Sequence, residues 1–305
     1  MGPRESISPE TIASAFLERG FVCTGEVATT LYLAERLGKP LLLEGPPGVG
    51  KTEIGKLWAE FHRARLIRLQ CYEGLDESKA LYEWAYGKQM LYTQLLREKT
   101  GELLAGAGDL DEAIRRLGGQ ADAFFSREFL LERPLLAAIA SDDPVVLLVD
   151  EIDRADEEFE AFLLEVLSDY QVSIPELGTI RAKRPPRVIL TSNDSRDLAD
   201  ALRRRCLYLH IDYPGFEDEL RIIENRVAGI SKTLAETLVK FSQSLRKTDL
   251  RKQPGIAEVV DWALALVVVG AESLSRETLR RTLGALLKNR EDLDRVMSEL
   301  SRFRS

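Results

Sequence analysis

The amino-acid sequence predicts an α/β domain built on a buried parallel sheet, followed by a smaller all-α domain. Five short apolar runs alternate with segments of helical periodicity; they lie at residues 41–43, 66–69, 145–149, 188–190 and 207–211. Runs that are apolar on both faces and separated by helices are typical of parallel strands with helices on both sides of the sheet. Beyond Pro214 the strand signals end. We therefore expect an α/β domain at residues 1–212 and an all-α domain, here called the helical tail, at residues 213–305.

Three local patterns refine this outline. In the helical tail, apolar residues recur at helical spacing in three sets, namely Leu220, Ile223 and Val227, then Leu234, Leu238, Phe241 and Leu245, then Leu279, Leu283 and Leu286. Residues at about 72–130 are charged and rich in glycine, and they break the alternation of strands and helices, which indicates an insertion. Between Tyr170 and Arg181, apolar and polar residues alternate around a turn, which predicts a β-hairpin.

Composition and charge exclude several classes of protein. The 305 residues carry 50 acidic and 42 basic side chains, and a net charge of -8 argues against a general nucleic-acid-binding surface. No apolar stretch approaches the roughly 20 residues that a membrane helix needs, and residues 1–20 lack a signal-peptide pattern. We expect a cytoplasmic protein without a transmembrane segment. The three cysteines are widely separated from one another and from the two histidines, so we expect neither disulfides nor a zinc site.

The strongest chemical signal is a glycine-rich loop between the first apolar run and a helix. It matches the pattern G-x-x-x-x-G-K-[ST] and consists of Gly45, Pro46, Pro47, Gly48, Val49, Gly50, Lys51 and Thr52. In such a loop the glycines let backbone amides point at phosphate oxygens, and the helix N-terminus adds positive partial charge. Lys51 would neutralise the β- and γ-phosphates, and the Thr52 hydroxyl would bind Mg²⁺. The pattern predicts that the chain binds ATP with Mg²⁺.

A pair of carboxylates follows the third apolar run. Asp150 and Glu151 come directly after residues 145–149, at the end of a predicted buried strand, where ligands bind in parallel sheets. Asp150 would hold Mg²⁺ through a water molecule, and Glu151 would activate the water that attacks the γ-phosphate. The alternative is that these residues begin a solvated helix. Their combination with the phosphate-binding loop favours the catalytic interpretation.

Polar and basic residues accompany the last two predicted strands. Asn193 follows the run at 188–190, where its amide could contact the attacking water or the γ-phosphate; the alternative is a simple turn. Arg204 and Arg205 precede the last strand, where an arginine could stabilise transition-state charge in a neighbouring subunit's site. The alternative for these arginines is a solvated basic surface.

The series GPPGVGKT, LLVDEID, LTSN, an arginine group and a helical tail resembles the AAA+ ATPases. The segment DEIDRADEEFEAFLLEVLSDYQVSIPE is similar to the MoxR family. The stretches LYEWAYGKQ, FLLERPLL and ALRRRCLYLHIDYP are most similar to the accessory (CoxD-like) ATPases encoded beside molybdenum-containing carbon monoxide dehydrogenases. The likeness covers roughly residues 20–265.

This resemblance implies several features that the residues alone do not. It implies a five-stranded sheet of order 5-1-4-3-2, an insertion in helix 2 and a hairpin before the sensor strand. It also implies a homo-oligomeric ring, commonly a hexamer, with the active site completed by the neighbouring subunit, and a partner protein with a von Willebrand factor A domain.

The resemblance assigns roles to individual residues, with departures from the family pattern. Asn193 takes the sensor position. Arg205 best matches the finger arginine, although the usual D-R-F sequence is absent here and Arg204 is the competitor. In the helical tail, which corresponds to the family's lid, Gln253, Pro254 and Gly255 stand where many relatives have S-P-R. Arg251, Lys252 and loss of the contact are the alternatives for the missing second-sensor arginine.

Together these features predict a Mg-ATP-hydrolysing, chaperone-like ATPase that remodels a client metalloenzyme, such as a molybdenum hydroxylase during maturation. The alternative is a P-loop nucleotide switch or small-molecule kinase that works without a ring. A DNA-acting motor is disfavoured by the net charge.

Overall fold

A computed structural model describes residues 7–92, 94, 126–175 and 177–299. Most of the predicted insertion, including all of its glycines between residues 101 and 119, lies outside the described residues. The flanks of that insertion are described and contain a short helix, a helical segment at residues 86–92 and two strands.

The described strands form one central sheet and two small ribbons. They are β1 (Leu41–Glu44), β2 (Arg65–Gln70), β3 (Tyr82–Trp84), β4 (Leu130–Glu132), β5 (Val145–Asp150), β6 (Gln171–Ile174), β7 (Gly178–Arg181), β8 (Arg187–Ser192) and β9 (Leu207–His210). The central sheet has the order β2-β5-β8-β1-β9. Strand β1 pairs with β9, β2 with β5, and β5 with β8, all in parallel. Counted along the chain, this is the predicted order 5-1-4-3-2, which is confirmed.

Burial explains why the apolar runs became these strands. Every residue of β1 and of β5 is buried. Leucine and valine on both faces of a strand suit a position in the middle of a parallel sheet that is covered on both sides. By contrast β2 contains exposed, half-buried and buried residues. The register between the two strands places Gln70 of β2 opposite Asp150, the last residue of β5.

Helices follow the strands and dominate the C-terminal part. They are α1 (Pro9–Leu17), α2 (Gly25–Leu37), α3 (Lys51–Phe61), α4 (Glu77–Ala80), α5 (Pro134–Ile139), α6 (Glu157–Asp169), α7 (Asp200–Arg205), α8 (Phe216–Arg226), α9 (Lys232–Arg246), α10 (Ile256–Val268), α11 (Arg276–Thr282) and α12 (Arg290–Glu299). Short 3₁₀ turns occupy Arg127–Phe129, Ile152–Arg154 and Leu283–Ala285. Among the described residues, no helix is long and apolar enough to cross a membrane.

The two ribbons are antiparallel. Strand β3 pairs with β4, which joins the two described flanks of the predicted insertion. Strand β6 pairs with β7, from Gln171 opposite Arg181 to Ile174 opposite Gly178. The hairpin predicted at 171–181 is therefore confirmed, and Gly178 adopts a positive φ of 78° at its turn, as glycine can do without strain.

The helical tail has its own apolar core. All ten of its predicted apolar positions are buried in that core, together with Trp262, which is fully buried against Phe241. The Trp262 indole donates a hydrogen bond to the Thr282 hydroxyl at 3.0 Å, so its polar atom is satisfied inside the core. Helical spacing thus predicted this region well.

The chain divides into two compact units. The first comprises Met1–Phe61, Thr191–Ser195 and Leu207–Ser305; the second comprises His62–Leu190 and Arg196–Cys206. The first unit therefore contains the phosphate-binding loop, Asn193 and the helical tail. The second contains Asp150, Glu151 and the arginines of α7. The domain boundary at residue 212 stays a prediction.

Candidate active site

In the first unit, the loop between β1 and α3 has a backbone that depends on glycine. Gly45 has a φ of 149°, and a β-carbon there would lie 1.9 Å from the carbonyl oxygen of Ile211. Gly48 has a φ of 80°. L-residues with side chains rarely adopt such angles. The loop ends at Lys51, which is the first residue of α3, so the amides at the start of this helix face the loop.

Lys51 connects the loop to Asn193. Its side chain is almost fully buried, and the ammonium group donates to the carbonyl oxygens of Gly45 at 2.7 Å and Pro46 at 2.8 Å. It also donates to Oδ1 of Asn193 at 2.9 Å. An ammonium group has donors only, so the amide oxygen of Asn193 must face it. The structure thus brings the predicted lysine and the predicted sensor together.

Asn193 reaches this position through a tight turn after β8. The amide of Gly45 donates to the carbonyl oxygen of Ser192 at 3.3 Å, and the Ser192 hydroxyl accepts from the Asp194 amide at 3.0 Å. Asp194 has a φ of 58°, a left-handed conformation that aspartate tolerates better than most residues. The turn that was the alternative interpretation of Asn193 is therefore present, and it holds the side chain against Lys51.

In the second unit, Asp150 is the last residue of β5 and is 2% exposed. Its Oδ2 accepts two hydrogen bonds from Arg68, from Nε at 2.9 Å and from Nη2 at 2.5 Å. Arg68 lies on the neighbouring strand β2, two residues before Gln70, which pairs with Asp150. A buried carboxylate needs such partners, since an unpaired charge away from water is costly.

Glu151 has an unusual backbone and a fixed side chain. Its φ of 57° and ψ of 52° are left-handed, which costs a residue with a β-carbon roughly 1–3 kcal/mol and persists only where the surroundings enforce it. Oε2 accepts from Nε2 of Gln70 at 3.1 Å and from Nη1 of Arg154 at 3.2 Å. One third of the side chain remains exposed. The carboxylate is therefore held in place yet open to solvent, which a general base requires.

Cys71 lies next to these carboxylates at the end of β2. Its amide donates to the carbonyl oxygen of Asp150 at 2.8 Å. Burial, reinforced by the negative charge of Asp150 and its acidic neighbours, raises the pKa of the Cys71 thiol to about 12. The thiol therefore stays protonated near neutral pH and is a poor nucleophile.

The arginines predicted to act on a neighbouring subunit lie on α7. Arg204 and Arg205 are exposed, while Arg203 is half-buried. The start of α7 is anchored to α6, because the Ala199 amide donates to Oε2 of Glu160 at 2.8 Å. Glu160 is buried and also forms an ion pair with Arg196. This anchor fixes the helix that carries the exposed arginines.

The residues considered for the missing second-sensor arginine lie near carboxylates of the helical tail. Arg251 lies 3.6 Å from a carboxylate oxygen of Glu291, and Lys252 lies 3.7 Å from one of Glu258. Both basic side chains are more than half exposed. The Arg246 side chain of the helical tail is buried; it pairs with Glu219 and lies over the Tyr213 ring at 4.4 Å.

Three positioning residues were missed from the sequence: Arg68, Gln70 and Arg154. Within β2, Arg68 and Gln70 flank Leu69, which places the two polar side chains on one face. Identifying Asp150 and Glu151 as their partners requires the register between β2 and β5.

Among the described residues, no group of three or more His, Cys, Asp or Glu side chains could hold a metal ion. Thr52 and Asp150 do offer the oxygen donors that Mg²⁺ prefers.

The buried pair of the helical tail yields a stability prediction. Arg246 donates to both carboxylate oxygens of Glu219, at 2.7 and 2.9 Å, and the two side chains are 6% and 0% exposed. Replacing Glu219→Ala leaves Arg246 charged and buried, which should destabilise the fold by about 3–5 kcal/mol. Urea unfolding should show a clearly lowered midpoint. Glu224→Ala, at an exposed position of the same helix, is the matched control; equal midpoints for the two variants would contradict the prediction.

The sheet order and the glycine-rich loop define a P-loop nucleotide-binding protein. The chain belongs to the AAA domain family of the dynein-related subfamily, whose model matches residues 40–206, more than half of the chain. ATP hydrolysis is the general activity of this class, so the chain is an AAA+ ATPase with additional C-terminal helices.

Individual relatives agree with this assignment. The denitrification regulatory protein NirQ of Pseudomonas aeruginosa is 22% identical over 276 residues, which cover 88% of this chain and 91% of that protein. An uncharacterised Staphylococcus aureus protein is 26% identical over 229 residues, 73% of each chain. Among solved structures, a variant of Thermotoga maritima RuvB has a TM-score of 0.51 at 18% identity, covering 98% of this chain and 79% of that one. This last likeness concerns the fold alone.

Proposed function

We propose that this protein is a Mg-ATP-hydrolysing, chaperone-like AAA+ ATPase of the MoxR type that remodels a client metalloenzyme. The observation that carries the proposal is the contact of Lys51 with Asn193, because it joins the phosphate-binding lysine to the sensor amide. Support for hydrolysis rather than binding alone comes from Glu151, whose carboxylate is held by Gln70 and Arg154 and is partly open to water.

The proposed roles follow from the donor chemistry. The amides of residues 45–52 and the Lys51 ammonium bind the phosphates of ATP. Thr52 and Asp150 hold Mg²⁺, which neutralises charge on the phosphate oxygens when it is bound. Glu151 takes a proton from the attacking water, and Asn193 orients that water or the γ-phosphate.

The positioning of Glu151 supports its proposed role. A glutamate side chain with free rotamers would point at the attacking water only part of the time, whereas two hydrogen bonds restrict it. Gln70 and Arg154 both donate to the same oxygen, Oε2, so the carboxylate is held from two sides.

We further propose a homo-oligomeric ring, a hexamer by the resemblance to the MoxR family, in which Arg205 or Arg204 enters the neighbouring subunit's site. The exposure of both guanidinium groups and the anchoring of α7 by Glu160 support this. A finger arginine needs a side chain that can extend from its own subunit toward the neighbour, on a backbone that stays fixed. The cytoplasmic location belongs to the same proposal.

The client is proposed on chemical and family grounds. The resemblance to accessory ATPases of carbon monoxide dehydrogenase suggests a molybdenum hydroxylase during cofactor assembly, with a von Willebrand factor A domain protein as the partner. The similarity to NirQ, a denitrification regulatory protein, supports an accessory role toward other proteins. The net charge of -8 favours a protein client over a nucleic acid.

Sedimentation tests this proposal against the kinase or switch alternative. The Glu151→Gln variant with Mg²⁺ and ATP should sediment as a ring, because bound ATP is retained and subunits meet at the nucleotide. Lys51→Ala under the same conditions is the control and should remain small. If Glu151→Gln binds ATP and stays monomeric up to high protein concentration, the ring is refuted and the alternative is favoured.

A further inference from the structure

The helix α10 of the helical tail begins directly on the phosphate-binding loop. Gly255 is its N-cap, with a φ of -80° and a ψ of 175°. The next residue, Ile256, donates its backbone amide to the carbonyl oxygen of Gly48 at 2.9 Å. Amides in the first turn of a helix have no acceptor within the helix. Here the loop supplies the acceptor for the Ile256 amide.

The contact between the two backbones is too close for a side chain. A β-carbon at position 255 would lie 2.8 Å from the Cα of Gly48 and 2.8 Å from Oε2 of Glu258. A β-carbon at Gly48 would lie 2.8 Å from the Cα of Gly255. The Glu258 carboxylate can rotate away, whereas the Cα of Gly48 can move only if the loop moves. Glycine at 255 is therefore a requirement of the close approach.

This glycine stands at the position where the family resemblance implies a second-sensor arginine. An arginine side chain at 255 is incompatible with the distance to Gly48, and Arg251 and Lys252 face Glu291 and Glu258 instead. The helical tail nevertheless touches the loop, through main-chain atoms rather than through a guanidinium group.

The segment that leads into Gly255 is held from two sides. Asp292, 4% exposed on α12, accepts the amides of Arg251 at 2.9 Å and Lys252 at 3.2 Å with its two carboxylate oxygens. From α9, Nε of Arg246 donates to the carbonyl oxygen of Pro254 at 2.9 Å. The start of α10 is thus fixed to the core of the helical tail. These contacts oppose a shift of Gly255 relative to the rest of the helical tail.

We propose that Gly255 is a positioning residue for nucleotide binding: it lets the helical tail hold the phosphate-binding loop through the bond from Ile256 to Gly48. The inference rests on the proposed binding of ATP by this loop. The helical tail thereby contacts the loop through a neutral main-chain hydrogen bond, at the place where the resemblance implies an arginine that contacts the nucleotide. Nucleotide affinity then depends on the position of the start of α10 against Gly48. No basic side chain at position 255 contributes to it.

Alanine substitutions at two matched glycines test the proposal. Gly215 is also a helix N-cap with extended backbone and no side-chain cap, and a β-carbon there would meet nothing within 4 Å. In titrations with a fluorescent ATP analogue, Gly255→Ala should weaken binding by about tenfold or more, because the bond to Gly48 is lost and the loop is displaced. Gly215→Ala should change affinity by less than about twofold, since it makes the same glycine-to-alanine change at a helix N-cap where the new β-carbon meets no other atom within 4 Å.

The outcomes separate this inference from the proposed function. If the parent protein binds no ATP, the proposed function fails. If the parent and Gly255→Ala bind ATP equally well, the positioning role fails while nucleotide binding stands. Thermal unfolding of both alanine variants checks that a loss of affinity at 255 is not a loss of folded protein.

Hydrogen exchange of the parent protein and of Gly255→Ala provides a second measurement. The Ile256 amide should exchange much more slowly than the Phe216 amide, which occupies the same place after the Gly215 cap. In Gly255→Ala that protection should be lost, while the Val259 amide, bonded to the Gly255 carbonyl oxygen at 3.1 Å, stays protected. Equal exchange of the Ile256 and Phe216 amides in the parent would overturn the proposal.

Discussion

Replacing Glu151→Gln is expected to slow ATP hydrolysis by about 100-fold or more, because the variant loses the base that takes a proton from the attacking water. ATP binding should be unchanged, since the phosphates are bound by the loop and Lys51. Glutamine keeps the size of the side chain and can still accept from Gln70 and Arg154, so the left-handed backbone at 151 is retained. Steady-state phosphate release and equilibrium ATP binding are the two measurements.

Glu158→Gln is the matched control for this variant. Glu158 is exposed at the start of α6 and carries the same charge. It should hydrolyse ATP at the parent rate. Hydrolysis by Glu151→Gln at the parent rate would remove Glu151 from the mechanism and leave the proton acceptor to be found elsewhere.

The second large effect is expected at the arginines of α7. Arg205→Ala should bind ATP normally and hydrolyse it at least about 10³-fold more slowly, because a finger arginine stabilises charge only in the transition state. Arg184→Ala removes an exposed positive charge elsewhere in the second unit and should leave the rate unchanged. A normal rate in Arg205→Ala together with a slow Arg204→Ala would identify Arg204 as the finger.

Mixed assemblies test whether this arginine acts on the neighbouring subunit. Lys51→Ala lacks the lysine that binds phosphate, and Arg205→Ala lacks the finger, so each protein alone should be inactive. A mixture should regain part of the activity at interfaces where an intact loop meets an intact arginine. No recovery, in mixtures shown to co-assemble, would indicate that both residues serve one subunit's own site.

Much of the fold followed from local sequence patterns. The five central strands were predicted because runs such as 145–149 are apolar on both faces, and the helical tail because its leucines repeat at helical spacing. The phosphate-binding loop was visible because its chemistry needs particular residues at consecutive positions. These signals lie within single elements and require no knowledge of how the elements pack.

The remaining features depend on packing between elements and were therefore hidden. Arg68 and Gln70 become partners of Asp150 and Glu151 only through the register of β2 against β5. The need for glycine at position 255 follows only from the short distance to Gly48, which lies more than 200 positions earlier in the chain. From the sequence, Gly255 was visible only as the absence of an expected arginine.

Magnesium-dependent ATP hydrolysis by the purified protein, measured beside Lys51→Ala, tests the central claim most directly. The Lys51 ammonium donates to Gly45, Pro46 and Asn193, so its removal takes away the cation of the loop and its link to the sensor. The parent should release phosphate from ATP in the presence of Mg²⁺ and stop when the metal is chelated, and Lys51→Ala should neither bind nor hydrolyse ATP. Equal phosphate release by Lys51→Ala, or binding of Mg-ATP by the parent without any hydrolysis, would contradict the account.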